Sequence, residues 1–167
     1  RVDWSLIKPA ACIEYLHASS LIADDLPMMD DAPLRRGKPS VHVKFSQDTA
    51  LLASYALIAS AYNKIAEAKN SIFGPSDPDS ICALAVENIS QNTGILGACS
   101  GQYLDLHSPA MHFELLEEIY LKKTVALFEI SFVLGWLFSK GDKTLLPTVK
   151  AASYDFGMAF QYADDLD

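Results

Sequence analysis

"VALFEISFVLGWLF", residues 125–138, is the most apolar stretch of the chain, 14 residues long with Glu129 inside it. A bilayer-spanning helix needs about 20 apolar residues, so this run is too short to cross a membrane. It reads as a helix buried in a protein core. "KGD" at 140–142 closes it with a turn, and a last helix runs from about 144 to the end. Upstream, the same helix reaches back to about 112, where "HSPAMH" interrupts the chain. Before that, a helix is expected over about 80–106, weakened at Gly94, Gly97 and Gly101. "NSIFGPSDPDS", 70–80, is a turn region, and Ser46 is a good N-cap for a helix to about Lys69. Residues 27–45 look like a loop punctuated by Pro33, Gly37 and Pro39. A first helix is expected from a cap at Asp3 to about 25, bent or restarted at Pro9. It ends at Pro27, because a residue before proline, here Leu26, is pushed out of the helical region. No alternation of strand period persists anywhere. The expected fold is an all-α bundle of long helices, one domain over 1–167, without internal repeat or linker.

Composition narrows the function. Half of the 167 residues are hydrophobic and the formal net charge is −8. The chain is therefore globular, and it is a poor partner for nucleic acid, since no Lys/Arg run offsets the charge. Cys12, Cys82 and Cys99 are odd in number and lack metal spacing. They read as reduced thiols of a cytoplasmic protein. The abrupt start at Arg1 and the end inside an acidic cluster read as two cut ends, a start compatible with a removed transit peptide.

Seven of the 14 aspartates lie in two short segments: 24, 25, 30 and 31 in "DDLPMMDD", then 164, 165 and 167 in "FQYADDLD". A lone DD pair is usually a solvated helix end. Here both clusters follow apolar helices and fall at C-terminal ends, where the helix dipole disfavours an anion by ~0.3–1 kcal/mol. The first is followed by Arg35 and Arg36. Such an arrangement points to a bound cation. Carboxylates without nearby His or Cys favour Mg²⁺ or Mn²⁺ over zinc, and Mg²⁺ is held by one or two carboxylates plus phosphate oxygens. Asp24 and Asp30 would lie about 120° apart on a straight helix, but the break at Pro27 lets a tight loop return Asp30 over the helix end. Two acidic patches with Arg and Lys at the rim would bind an anionic phosphate ester.

"DDLPMMDD" followed by "LRRGKP", with "GQYLDL", "KKT" and "FGMAFQYADDLD" in order, resembles the trans-isoprenyl diphosphate synthases over essentially the whole chain. The resemblance implies an isoprenoid synthase-like helical bundle around a central cavity, seen as a partial chain without its N- and C-terminal helices, and working as a homodimer. It implies condensation of isopentenyl diphosphate with an allylic diphosphate (dimethylallyl, geranyl or farnesyl), with three Mg²⁺ ions per site that Mn²⁺ can replace. By resemblance, Asp24 and Asp30 bind metal from one wall and Asp164 from the other, supported by Asp25 and Asp165. Arg35 and Lys123 contact the allylic diphosphate, with Thr124 and Gln161 beside them. Arg36 and His17 hold the diphosphate of isopentenyl diphosphate, and Gln102 and Asp105 line the metal side. Asp24, Asp25, Asp30, Lys123 and Asp164 carry the catalysis.

Product length rests on the helix before the first motif. A bulky aromatic four or five residues ahead of it closes the pocket at fifteen carbons in the family, whereas Ser19 and Ser20 stand there in this chain. The next candidates for a floor are Leu16 and Tyr15, about one turn deeper, so a twenty-carbon geranylgeranyl product is expected.

Single residues have plainer readings too. His17 on an apolar helix is by itself an ordinary core histidine, but its offset of two turns puts it on the face of Asp24. Lys123 and Thr124 interrupt an apolar helix, and a loosened turn there would point them into the cavity. His42, His107 and His112 read as surface or loop residues, and Phe128, Phe132, Trp136 and Phe138 as packing. The chain departs from the family pattern in three ways: Ala23 where a histidine is common, Val125 where a glycine is common, and no "GGKR" segment upstream. The competing readings are a non-catalytic prenyltransferase-like regulatory subunit and a class I terpene cyclase. Intact aspartates and "LRRGKP" favour chain elongation over both.

Overall fold

The apolar run becomes α7 (Ala126–Phe138) and supplies the middle of the core. Its Ile130, Val133, Leu134, Leu137 and Phe138 pack with Cys12, Leu16, Ala61, Ile65, Ile81, Ala85 and Ile89 in one buried cluster. The computed structural model describes residues 6–72, 77–108, 110 and 112–166. The expected cap at Asp3 and the carboxylate of Asp167 lie outside them.

Around α7 stand α1 (Ile7–Asp24), α3 (Gln47–Ala68), α4 (Pro78–Thr93) and α8 (Leu146–Asp164). α1 lies along α3, while α4, α8 and α1 each pack on α7. Small buried residues of α3, Ala50, Ser54 and Ala61, let α1 come close. There the Ser54 hydroxyl donates to the Ser19 carbonyl at 3.0 Å. Glu129, the one charge in the apolar run, faces α4 and α8. It accepts from Asn88 Nδ2 at 2.7 Å, Asn92 Nδ2 at 3.0 Å and Lys150 Nζ at 3.0 Å. Burial pushes its carboxyl up, but these donors and the lysine charge outweigh burial and hold it below the usual range.

Local chemistry explains the helix starts. Ser46 accepts the Thr49 N–H at 3.3 Å and caps α3 as expected. Asp77 Oδ1 accepts the N–H groups of Asp79 and Ser80 at 3.1 and 3.2 Å, with Pro78 in the first turn. α4 therefore begins earlier than Ser80. Pro9 does not interrupt α1, because it falls in the first turn, where its missing N–H has no partner to lose.

Three expectations need correction. The helix expected over 80–106 divides at Gly94–Gly97 into α4 and α5 (Ala98–His107). The helix expected over 112–139 is α6 (Phe113–Tyr120), a five-residue π-helical turn at Leu121–Val125, and α7. The loop over 27–45 contains a hairpin, β1 (Leu34–Arg35) and β2 (Lys38–Pro39), then α2 (Val41–Lys44). Arg35 pairs with Lys38 across a two-residue connection, Arg36 and Gly37, with φ of 51° and 74°. These signs are those of a type I′ turn. Strands of two residues cannot display a period, so alternation had nothing to reveal. The all-α class is unaffected. Among the described residues, no helix is long and apolar enough to cross a membrane.

Candidate functional site

α1 ends at Asp24, and the chain turns back at once. Leu26 is buried and anchors the turn. The Asp30 N–H donates to the Asp24 carbonyl at 2.9 Å and the Asp31 N–H to the Leu26 carbonyl at 3.1 Å. The loop thus folds Asp30 over the end of α1, as the break at Pro27 implied. The two carboxylates of the first pair then part ways. Asp25 is only 3% exposed. Its Oδ1 accepts from Arg35 Nε at 3.0 Å and from a terminal guanidinium nitrogen at 2.5 Å. The β1–β2 hairpin places that arginine there. Its turn sends the next residue, Arg36, outward. Asp24 is half-buried and Asp30 exposed. Burial first, then Asp30 and Asp25, push the Asp24 carboxyl above its usual range, against the lowering effects of Lys123 and Arg35. Burial is the main cause, since the strongest of the charges acting on Asp24 is Lys123, which opposes the shift.

Opposite lies the π turn. The Ala126 N–H bonds the Leu121 carbonyl five residues back, and the extra residue per turn re-aims Lys123 and Thr124. Two glycines allow neighbouring helices to close on this wider backbone. A Cβ on Gly101 of α5 would stand 2.8 Å from Lys122 Cβ and 2.9 Å from the Lys123 nitrogen. A Cβ on Gly157 of α8 would stand 3.0 Å from Val125 Cγ2 and 3.1 Å from Val125 Cα. The π turn forms with Val125 in place of glycine because α8 gives the room instead.

The close approach of α5 puts Lys123 Nζ 2.7 Å from Asp105 Oδ2. Asp105, expected as a metal ligand, is paired with Lys123 here. Lys123, expected on a diphosphate, spends its ammonium on that carboxylate. Gln102 is turned inward: its Nε2 lies 3.9 Å from Met29 Sδ, and its buried Oε1 has no partner among the described residues.

The second pair, at the end of α8, repeats the division of the first. Asp164 is exposed. Asp165 accepts from Gln161 Nε2 at 2.9 Å through Oδ1 and from the Tyr120 hydroxyl through Oδ2. Gln161 Oε1 in turn accepts the Thr124 hydroxyl at 2.7 Å. In each DD pair one carboxylate is tied down and its neighbour is left open. The hydrogen bond to Asp165 and burial push the Tyr120 phenol up to about 12, so it stays a donor.

Residues expected to control product length are separated. Leu16 is buried with Cys12 and Ser19 on the face that meets the core, and Tyr15 packs against that core. Ser19 donates to the Leu16 carbonyl at 2.8 Å. Ser20 is exposed and bonds the His17 carbonyl at 2.9 Å. At about 100° per residue, Ser20 and half-buried His17 share the face of Asp24, while Ser19 and Tyr15 do not.

Two surface grooves contain none of these aspartates. One, of about 410 Å³, includes Phe132, Trp136 and Val149, and the other, of about 600 Å³, includes Tyr62, Cys82 and Val86. The convergent charges at the two aspartate pairs, not these grooves, mark the candidate site. Reading the sequence alone missed Tyr120 and the spacing role of Gly157. Tyr120 stands four residues before Thr124, which was the one available signal. Among the described residues, no three His, Cys, Asp or Glu side chains stand close enough to hold a metal ion by themselves.

The sequence pattern of the polyprenyl synthetase family matches residues 3–167. The chain belongs to this family. It is 42% identical over 166 residues to farnesyl diphosphate synthase of Escherichia coli K12, covering 97% of this chain and 54% of that one. It is 39% identical over 170 residues to the chloroplastic geranylgeranyl pyrophosphate synthase 11 of Arabidopsis thaliana, covering 98% and 46%. The family fold is the one observed. An FPP/GFPP synthase structure from Zymomonas mobilis superposes with a TM-score of 0.87 at 32% identity, over 97% of this chain and 58% of that one. A Helicobacter pylori geranyltransferase complexed with magnesium and isoprenyl diphosphate gives 0.84 at 32% identity, over 96% and 52%. The chain spans about half the length of the curated relatives it matches.

Proposed function

We propose that this protein is a Mg²⁺-dependent trans-prenyltransferase. It joins isopentenyl diphosphate to an allylic diphosphate and ends at geranylgeranyl diphosphate. The observation that carries this reading is the division repeated at two helix ends: Asp25 and Asp165 are tied, Asp24 and Asp164 are open, and Lys123 reaches from the π turn to Asp105.

The donors fit the metal. They are oxygens only, and Mg²⁺ is commonly held by one or two carboxylates completed by phosphate oxygens and water. That suits walls on which, among the described residues, no three carboxylates are gathered in advance. Asp24, Asp30 and Asp164 would hold the ions, with Asp105 available once Lys123 turns to phosphate; three ions per site follow from the family resemblance. When bound, Mg²⁺ neutralises charge that develops on the departing diphosphate.

The chain's own groups do the rest. Lys123 and Arg35 add fixed positive charge beside the allylic diphosphate, Arg35 from a position held by Asp25. Arg36 at the hairpin tip and His17 on the Asp24 face serve isopentenyl diphosphate. Thr124 and Gln161 line the same rim. Ala- and Leu-rich helix faces exclude the water that would capture an allylic cation. Ser20, with no bulk to stop growth, leaves room for the longer tail. A second copy of the chain is the partner we assign to the exposed apolar residues Leu51, Leu52, Tyr55 and Ile58 of α3, and the cytoplasm is the compartment we assign from the three free cysteines.

The test is incorporation of radiolabelled isopentenyl diphosphate by the full-length protein, with dimethylallyl, geranyl or farnesyl diphosphate as co-substrate. Mg²⁺-dependent incorporation ending at twenty carbons supports the reading. No incorporation with any of the three refutes it, and a fifteen-carbon end point refutes the product assignment alone.

A further inference from the structure

We propose that Tyr120 is a positioning residue for the second aspartate pair: by tethering Asp165 it aims the open carboxylate of Asp164. The inference rests on the prenyltransferase reading for the role of Asp164. It stands on hydrogen bonds that cross between α6 and α8.

α8 needs such a tether. Its packed side is narrow, with Ser153, Gly157 and Met158 as the buried residues, and Asp164, Asp165 and Leu166 at its end are all exposed. A helix end with so few contacts frays easily. Two carboxylates there also meet the negative end of the helix dipole.

Asp165 has two hydrogen-bonded oxygens. Gln161, on Oδ1, belongs to α8 and moves with it. Tyr120, on Oδ2, is the donor that reaches Asp165 directly from another helix. Its ring is held edge-on by Tyr162 of α8, with centroids 6.0 Å apart and planes at 81°. The Tyr162 hydroxyl returns the contact, donating to Glu117 Oε1 of α6 at 2.8 Å. The two tyrosines thus cross in opposite directions, and only one of them ends on the aspartate pair. Adjacent helical residues diverge by about 100°. Turning Asp165 toward α6 therefore sets the direction in which Asp164 points.

Tyr120→Phe keeps the ring and its contact with Tyr162 and removes only the donor. Tyr162→Phe removes the Glu117 bond and leaves Asp165 tethered. Both variants of the full-length protein are compared with wild type by calorimetric titration of Mg²⁺ with inorganic diphosphate, by the Mg²⁺ dependence of turnover, and by thermal unfolding. Losing this one exposed hydrogen bond should weaken Mg²⁺–diphosphate binding in Tyr120→Phe about five- to tenfold, the scale of an ordinary net hydrogen bond. The Mg²⁺ concentration at half-maximal rate should rise alike, with KM for isopentenyl diphosphate changed less than about twofold. Tyr162→Phe should leave Mg²⁺–diphosphate binding within about twofold of wild type. Binding by Tyr120→Phe equal to wild type overturns the inference. Equal losses in both variants overturn it too, because they mean general helix packing. A wild type that binds Mg²⁺–diphosphate through Tyr120 but forms no carbon–carbon bond overturns the prenyltransferase reading and leaves the tether standing.

Discussion

Replacing Arg35 with methionine keeps most of the side-chain length and removes both hydrogen bonds to Asp25. The Asp25 side chain is 4% exposed and that of Arg35 38%. Breaking a fully buried pair by removing one partner costs about 3–5 kcal/mol, because a buried charge is left uncompensated. Arg35 is more than a third exposed, so water screens the pair and reaches the vacated space. The expected loss is therefore smaller, about 2–3 kcal/mol. For a domain of this size each kcal/mol lowers the midpoint by about 2–4 °C, which gives a fall of roughly 4–12 °C. Urea denaturation followed by circular dichroism measures the loss directly. The second arm is Arg35→Met with Asp25→Asn. Taking the charge off both partners should recover at least about half of the loss, since an amide tolerates burial better than an unpaired carboxylate. A loss below about 1 kcal/mol in the single variant, the scale of an exposed pair, would refute the view that Asp25 is held by this arginine. So would a double variant no more stable than the single one.

Asp24→Asn should lower turnover about 10²-fold or more, the scale of one transition-state stabiliser; steady-state rates within about threefold of wild type would sink the role. The folded pKa of Asp24 is raised, so its penalty is full above that value and vanishes below the ordinary 3.8. The metal-free wild type should therefore gain stability relative to Asp24→Asn as pH falls through this window, measured by paired urea titrations. Arg36→Lys keeps the charge and loses the planar fork, and should raise KM for isopentenyl diphosphate more than for the allylic substrate; equal increases would contradict the division between the arginines. Ser20→Phe should shorten the product by at least one five-carbon unit, read by chromatography after dephosphorylation. Ser19→Phe should instead destabilise the α1–α3 contact by about 1–3 kcal/mol through overpacking, and a stable Ser19→Phe protein with shortened product would place the tail on the other face.

Much of the frame was legible because its causes are local. Pro27 ends α1 through a clash with the residue before it, Ser46 caps α3 through one hydrogen bond, and the apolar run at 125–138 had no place but the core. The place of the candidate site was legible for a related reason: carboxylates and arginines at that density are costly without a counter-charge, and the structure does bring Asp25 and Arg35 together. The division of the helix at Gly94–Gly97 was half legible, since the glycines marked a weakness without saying whether it would break.

The sequence by itself determined the all-α class, several helix ends, the burial of the apolar run and the places where charge is crowded, because those follow from interactions spanning a few residues. Only the tertiary structure decided how the charged groups divide their work. Asp25 is tied and Asp24 open because a hairpin returns Arg35 to one of them. Asp165 is tied and Asp164 open because Tyr120, 45 residues away, ends on the other side of a helix pair. Lys123 meets Asp105 because Gly101 and Gly157 let two helices close on a π turn. Each outcome depends on a partner 10 to 45 residues distant along the chain or on a backbone spacing of under one Cβ, and neither quantity is written in the local order of residues.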